Sequence, residues 1–282
     1  MTDAAAQPGT PDPVVQVRGL VVRYGKRTVL DGVDMTVHPG EIRAILGGSG
    51  SGKSTLLKGI LGLTTVAAGR VQLLGQDTLA MPESDRRGLM QRTGVLFQNG
   101  ALFGSLTVGE NVALPLREHR RLPEATIREL VQFKLAQVDL SHAEHMRPAE
   151  LSGGMRKRAG LARALALDPE LLFCDEPSAG LDPLTAAAMD NLLLSLRDSL
   201  KMTVVLVTHE LASIEAIADS VIMVGDAKVI AEGPIGEVRK RGIAAVDDFF
   251  ARRIRPQTAE DRSAAEVLGL KPAPAAAAGA TP

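Results

Sequence analysis

Ile42-Arg43-Ala44-Ile45-Leu46, followed at once by Gly47-Gly48-Ser49-Gly50-Ser51-Gly52-Lys53-Ser54-Thr55, decides the fold. A short apolar run that enters a glycine loop without a spacer reads as a buried strand ending in a tight turn. From Ser54 the period changes, and Leu56, Leu57, Ile60 and Leu61 form one helical stripe. Strand, glycine loop and helix in that order fit the phosphate-loop pattern. The glycines let successive backbone N–H groups point at phosphate oxygens, and the helix adds its positive N-terminal end. Lys53 is expected to reach the β and γ phosphates of a nucleotide, and the Ser54 hydroxyl to ligate Mg²⁺.

Further along, Phe173-Cys174-Asp175-Glu176 places two carboxylates at the end of another apolar run, where parallel strands deliver their catalytic groups. Asp175 suits Mg²⁺, directly or through water, and Glu176 suits a general base that orients an attacking water. An acidic pair that merely caps a helix is the bland alternative, and the phosphate loop upstream weighs against it. His209 follows the buried run Thr203 to Val207 and is expected at the same sheet edge, within reach of a γ-phosphate. Gln98, after Val95-Leu96-Phe97, gains meaning only from this set. Tyr24 has two readings: a base-stacking aromatic upstream of the glycine loop, or an ordinary tyrosine on a β surface.

Val14 to Val22 and Leu30 to Val37 alternate apolar and polar residues as strands do. Leu122-Pro123-Glu124 opens a helix, with Ile127, Leu130, Val131 and Leu135 at helical spacing. A second helix is expected from about Gly153 to Leu167, stopping at Asp168-Pro169. The block from about 99 to 165 therefore reads as a helical insert. The runs Leu171–Cys174 and Thr203–Val207, with the helix Leu184–Leu196 between them, imply parallel strands covered on both faces. Beyond Ile230 the pattern is expected to be less regular. The division is a disordered segment over 1–13, one domain over 14–240, an extension over 241–270 and a low-complexity Ala/Pro/Gly tail over 271–282.

The 282 residues suit one large α/β domain, and 45% hydrophobic with 23% charged residues is ordinary for a globular chain. A net charge of −1 gives no basic field for nucleic acid or an anionic membrane surface. One cysteine, Cys174, excludes a disulfide framework. No window approaches the roughly 18 apolar residues of a membrane span, and Met1 to Pro13 lacks the regions of a signal peptide. The expectation is a cytoplasmic protein whose membrane role, if it has one, runs through a partner.

Leu151-Ser152-Gly153-Gly154-Met155 lies between the phosphate loop and the acidic pair. With it, the chain resembles the ATP-binding cassette (ABC) ATPases from Val14 to Gly236. Tyr24 matches the adenine-stacking loop, Gly47 to Thr55 Walker A, Gln98 the Q-loop, Leu151 to Met155 the signature and Phe173 to Glu176 Walker B. Ser178-Ala179-Gly180-Leu181-Asp182 matches the D-loop and His209 the switch histidine. The resemblance implies an α/β P-loop NTPase with a mixed sheet core, an N-terminal antiparallel β subdomain and a helical insert subdomain. It implies ATP and Mg²⁺ as cofactors, with Ser54, Gln98 and Asp175 toward the metal. It also implies a homodimer in which Ser152, Gly153, Gly154 and Asp182 of one copy meet ATP held by the other. Met155 stands where the family usually has Gln, and Gly48 where it often has Pro; neither removes a phosphate ligand or the base.

Phe97-Gln98-Asn99-Gly100-Ala101-Leu102-Phe103 and Asn111 to His119 look like the ATPases of Mla-type lipid transporters, as do Arg156 and Arg158 after the signature. That likeness implies an integral membrane permease and an MCE-domain lipid-binding protein as partners, on the cytoplasmic face of a bacterial inner membrane. Alternatives are the ATPase of an importer for a small polar solute, a non-transport ABC ATPase, and a P-loop kinase, which the signature and D-loop disfavour. Leu102 and Phe103 either line a groove for a permease helix or pack the helical insert. Val246 to Ile254, with Phe249 and Phe250, reads as a helix that docks on the partner copy or its own domain; alternatively Arg252, Arg253 and Arg255 touch lipid headgroups.

Overall fold

The computed structural model describes residues 11–251. The expectations for Met1 to Thr10, for Arg252, Arg253, Ile254 and Arg255, and for the tail lie outside these residues.

The chain opens with two antiparallel strands, β1 (Val15–Tyr24) and β2 (Arg27–Val37), and then enters β3 (Ile42–Leu46) and helix α1 (Lys53–Ile60). β4 (Ala68–Leu73) and β5 (Gln76–Asp77) complete a four-stranded antiparallel sheet in the order β2-β1-β4-β5. Helix α2 (Glu83–Gln91) and strand β6 (Thr93–Leu96) lead into three helices, α3 (Val108–His119), α4 (Glu124–Gln137) and α5 (Gly153–Ala164). The chain returns through β7 (Leu171–Asp175), α6 (Pro183–Leu200), β8 (Thr203–Val207), α7 (Leu211–Ile217), β9 (Ser220–Gly225) and β10 (Lys228–Pro234). Helices α8 (Ile235–Lys240) and α9 (Ala244–Phe250) close the described part.

The second sheet has the order β10-β9-β3-β8-β7-β6, parallel throughout except for the antiparallel β9–β10 hairpin. The strong apolar runs of its inner strands have a direct cause, because both faces are covered. Leu171 and Phe173 of β7, with Val205 and Val207 of β8, pack on α1 and the antiparallel sheet. Leu172, Cys174, Val204 and Leu206 face the other way, onto the cluster formed with α3, α4, α5 and α6. Each fully buried side chain of this kind contributes about 1.5–3 kcal/mol. Burial also pushes the Cys174 thiol far above its ordinary pKa.

Two expectations are corrected. Among the described residues the chain beyond Ile230 is regular: β10, α8 and α9 occupy it up to Phe250, with Val246 buried and Phe249 and Phe250 partly buried on the chain's own β9, β10 and α8. The signature helix ends at Ala164 rather than Leu167, and Leu165 closes it through its N–H to the Arg163 and Leu161 carbonyls. β6 runs close to this end, since a Cβ on Gly94 would stand 2.6 Å from the Ala164 carbonyl oxygen.

Candidate functional site

Register places the site. Ile45 of β3 pairs with Val207 of β8, and Asp175 of β7 pairs with the same Val207. The glycine loop, the acidic pair and His209 therefore leave adjacent strands at one edge of the sheet. Leu96 of β6 pairs with Cys174, so Gln98, exposed in the turn that follows, comes off at that edge too.

Gly47 has φ 149°, and a Cβ there would lie 2.3 Å from the Val224 carbonyl oxygen and 2.5 Å from Ser51 Oγ. Gly52, at φ 104°, stands where α1 begins and would meet Leu30 Cδ2 at 2.9 Å. Gly50 is left-handed in open space, whereas Gly48 has ordinary backbone and nothing within 4 Å. No side chain caps α1 and no acid sits in its first turn, so its leading N–H groups remain for an anion. Ser49, Ser54 and Thr55 complete the loop around this helix start. Lys53 Nζ donates to the carbonyls of Gly47 (2.9 Å) and Gly48 (3.0 Å). Burial lowers its pKa, with Glu176 and then Asp175 opposing.

Asp175 and Glu176 are both largely shielded from water, and burial, followed by the neighbouring Glu176, pushes the Asp175 carboxyl up. Glu176 takes a left-handed backbone (φ 53°), with its N–H donating to the Val207 carbonyl at 2.8 Å. Such a conformation in a non-glycine residue costs about 1–3 kcal/mol and persists only where its surroundings enforce it. Glu176 Oε1 accepts from Nδ1 of the exposed His209 at 2.8 Å. Thus His209 reaches the edge as expected but holds the carboxylate rather than pointing freely at a phosphate.

Asp175 Oδ1, Glu176 Oε2 and Ser51 Oγ are buried oxygens without a hydrogen-bond partner. Buried polar atoms are seldom left so, and oxygens of this kind suit a cation or a polar ligand. Mg²⁺ takes oxygen donors, commonly one or two carboxylates with substrate phosphates filling the rest. Asp175 and the exposed Ser54 fit that donor set.

Tyr24 ends β1 half-exposed, with its hydroxyl 3.1 Å from Thr64 Oγ1. Its ring is available for stacking.

A second group is built on helix starts. Ser152 caps α5, its Oγ accepting from the Met155 N–H at 3.2 Å. Ser152 and Gly153 are exposed, whereas Gly154 is buried, and a Cβ there would lie 2.9 Å from Thr185 Cγ2 on α6. Asp182 caps α6 through Oδ1 to the Leu184 and Thr185 N–H groups (3.1 Å each) and Oδ2 to the Thr185 hydroxyl (2.5 Å). Those bonds, that hydroxyl first, hold its carboxyl below the usual range. Leu184, beside it, is 81% exposed.

Three residues escaped the sequence reading. Arg163 of α5 donates to the carbonyls of Ala101 (2.7 Å) and Gly100 (3.1 Å), and Gly160 lies so close that its Cβ would stand 2.8 Å from Gly100 Cα. The turn after Gln98 is thereby fastened to the signature helix. Buried Asn111 of α3 clasps Phe103, accepting from its N–H (2.8 Å) and donating to its carbonyl (3.1 Å). Leu102 packs on the helical core, whereas Phe103 remains 52% exposed. Lys157, the third, joins α5 to the loop after β7.

Residues 30–179 match the family model described as ABC transporter. The chain is 42% identical over 220 residues to the intermembrane phospholipid transport system ATP-binding protein MlaF of Haemophilus influenzae, covering 78% of this chain and 83% of that one. It is 38% identical over 243 residues to a probable ribonucleotide transport ATP-binding protein, mkl, of Mycobacterium bovis, covering 86% and 68%. Among solved structures, a dimeric ATP-binding cassette in a post-hydrolysis state with ADP and phosphate superposes with a TM-score of 0.72. It is 29% identical, covering 78% of this chain and 98% of that one.

Proposed function

The chain is an ATPase of the ABC transporter family, and from that premise we propose that it is the motor subunit of a complex that moves phospholipid between bacterial membranes. The observation that carries the chemistry is the convergence of the glycine loop, Asp175, Glu176 and His209 on one sheet edge, with buried oxygens left unpaired. Two copies close around two ATP molecules. Each nucleotide lies on Gly47 to Thr55 of one copy, its adenine on Tyr24, and meets Ser152, Gly153, Gly154 and Asp182 of the other. The interface is isologous, as a two-fold dimer requires.

Lys53 exchanges the carbonyls of Gly47 and Gly48 for the β and γ phosphates. Ser54, Asp175 and Gln98 would hold Mg²⁺, which when bound neutralises charge on those oxygens. Glu176 orients a water in line with the γ-phosphorus and takes its proton. The new P–O bond forms as the bond to the ADP oxygen breaks, and the proton passes on to the released phosphate. His209 steadies Glu176 and turns to the γ-phosphate on closure. ATP favours the closed dimer and hydrolysis releases it.

The membrane side rests on the α3 edge. Asn111 presents Phe103 to solvent, and Arg163 connects that loop to a hollow of about 300 Å³ lined by Met90, Pro115, His119 and Leu167. A permease helix docks there, with an MCE-domain lipid-binding protein further along the complex, and the ATPase sits peripherally on the cytoplasmic face of the inner membrane. The phospholipid reading is supported by the name of the Haemophilus relative; the mycobacterial relative's name favours a second reading, transport of a polar solute. Affinity purification of the tagged chain from detergent-solubilised membranes, with mass spectrometry of proteins and lipids, separates them. Permease, MCE-domain protein and phospholipid support the first reading; a permease with a solute-binding partner supports the second; no permease overturns both. Phe103→Glu should release the permease while the nucleotide affinity of the isolated chain stays within about twofold.

A further inference from the structure

Lys157 sits on α5 three residues after Gly154, hence on the same helical face. It is 7% exposed, and its Nζ donates to two backbone carbonyls, Glu176 at 2.9 Å and Ala179 at 2.6 Å. Between those carbonyls run Pro177 and Ser178, and the Ala179 N–H turns back to the Glu176 carbonyl at 3.3 Å. One ammonium therefore gathers the whole arch that leaves the left-handed Glu176. A buried cation is costly unless its donors are satisfied, and burial lowers this one's pKa, with the Glu176 charge opposing. The arch has no other side-chain donor of this kind among the described hydrogen bonds; Ser178 Oγ pairs only with Ser213 Oγ, at 3.2 Å.

We infer that Lys157 is a positioning residue for hydrolysis: it ties the backbone of Glu176 to the helix whose start carries Ser152 and Gly154, so that engagement of the signature by a second copy's nucleotide moves, in the same chain, the carbonyl frame of the base. This rests on the reading of Glu176 as the base. The helix supplies the rigid link. Gly154 touches α6 beside Asp182, and one helical turn later Lys157 touches the arch. Glu176 lies where its backbone is held, and a displacement of about 1 Å in a reacting group can cost on the order of 100-fold in rate.

The test compares steady-state ATP hydrolysis, nucleotide affinity and thermal midpoint for K157M, K157R and E176Q in the full chain. K157M keeps the length and apolar stem and removes the donors; K157R keeps charge and donors. The expected result is a kcat about 10- to 100-fold lower in K157M, KM for ATP and nucleotide affinity within about twofold, and recovery of most of the loss in K157R. A K157M kcat within about twofold of the parent overturns the inference. So does nucleotide affinity falling in step with kcat, which marks a packing group only, or a K157R as slow as K157M. E176Q separates the two ideas: if it hydrolyses ATP at the parental rate, the base is misassigned whatever Lys157 does. If it is inactive while K157M is normal, the positioning role alone fails.

Discussion

The glycine loop and the signature turn both stand at helix starts, yet they are finished to different degrees. At the signature end, Ser152 Oγ is spent on its own helix and the Asp182 carboxylate on three bonds within one turn. At the phosphate end, α1 has no side-chain cap, and Ser51, Asp175 and Glu176 keep buried oxygens without partners. The first is a surface whose polar groups are already satisfied within the chain; the second is an interior whose polar groups lack partners. In the proposed dimer the two ends of one nucleotide site are thus prepared differently, one by preorganised exposure and the other by unmet demand.

The largest test breaks the unmet-demand side. E176Q should lower turnover by about 10²–10⁴-fold, the usual loss on removing a general base. ATP binding should survive, so that an ATP-dependent dimer accumulates on gel filtration. Parental turnover would remove Glu176 from the chemistry.

A second pair of changes asks whether the loop is held by its glycines individually. Gly47→Ala forces a Cβ into the Val224 carbonyl and Ser51 Oγ, at a positive φ. It should cost about 1–3 kcal/mol in a melting experiment, and nucleotide binding should weaken more than about tenfold. Gly48→Ala meets open space and should stay within about 0.5 kcal/mol. Equal effects at both positions would mean that the loop adapts to a new Cβ, and the contrast with the signature would weaken.

The smallest test probes the completed side. Ser152→Ala should cost about 1 kcal/mol of helix capping. In an E176Q background it should reduce the ATP-bound dimer about tenfold, as expected for one bond to a charged group. The affinity of the isolated chain for nucleotide, measured before dimers form, should not change. If it does change, Ser152 serves the nucleotide of its own chain and the division between the two ends disappears.

Most of the candidate site was legible because phosphate binding makes local demands. A strand, a glycine turn with positive φ and a helix without an acid in its first turn must be adjacent in sequence, and so Gly47 to Thr55 can be read directly. Asp175, Glu176 and His209 could be placed because buried parallel strands announce themselves as continuous apolar runs and end together. What escaped notice depends on distance in sequence. Lys157 meets a carbonyl 19 residues away and Arg163 one 63 residues away, and neither long cation differs in local pattern from a solvated one. The β9–β10 hairpin was missed for another reason: Ser220 to Gly225 is a buried run with no chemical residue to draw attention. The different exposure of Leu102 and Phe103 goes with the clasp of Asn111 on the Phe103 backbone, by a polar side chain that sequence alone places on a surface.

Tyr24 carries one more consequence. The chain has no tryptophan and a single tyrosine, and that ring lies half-exposed where adenine is proposed to stack. Its tyrosine emission therefore comes from one reporter at one place. Occupancy of the base pocket becomes observable in the unlabelled protein, and loading of the nucleotide can be timed separately from its cleavage.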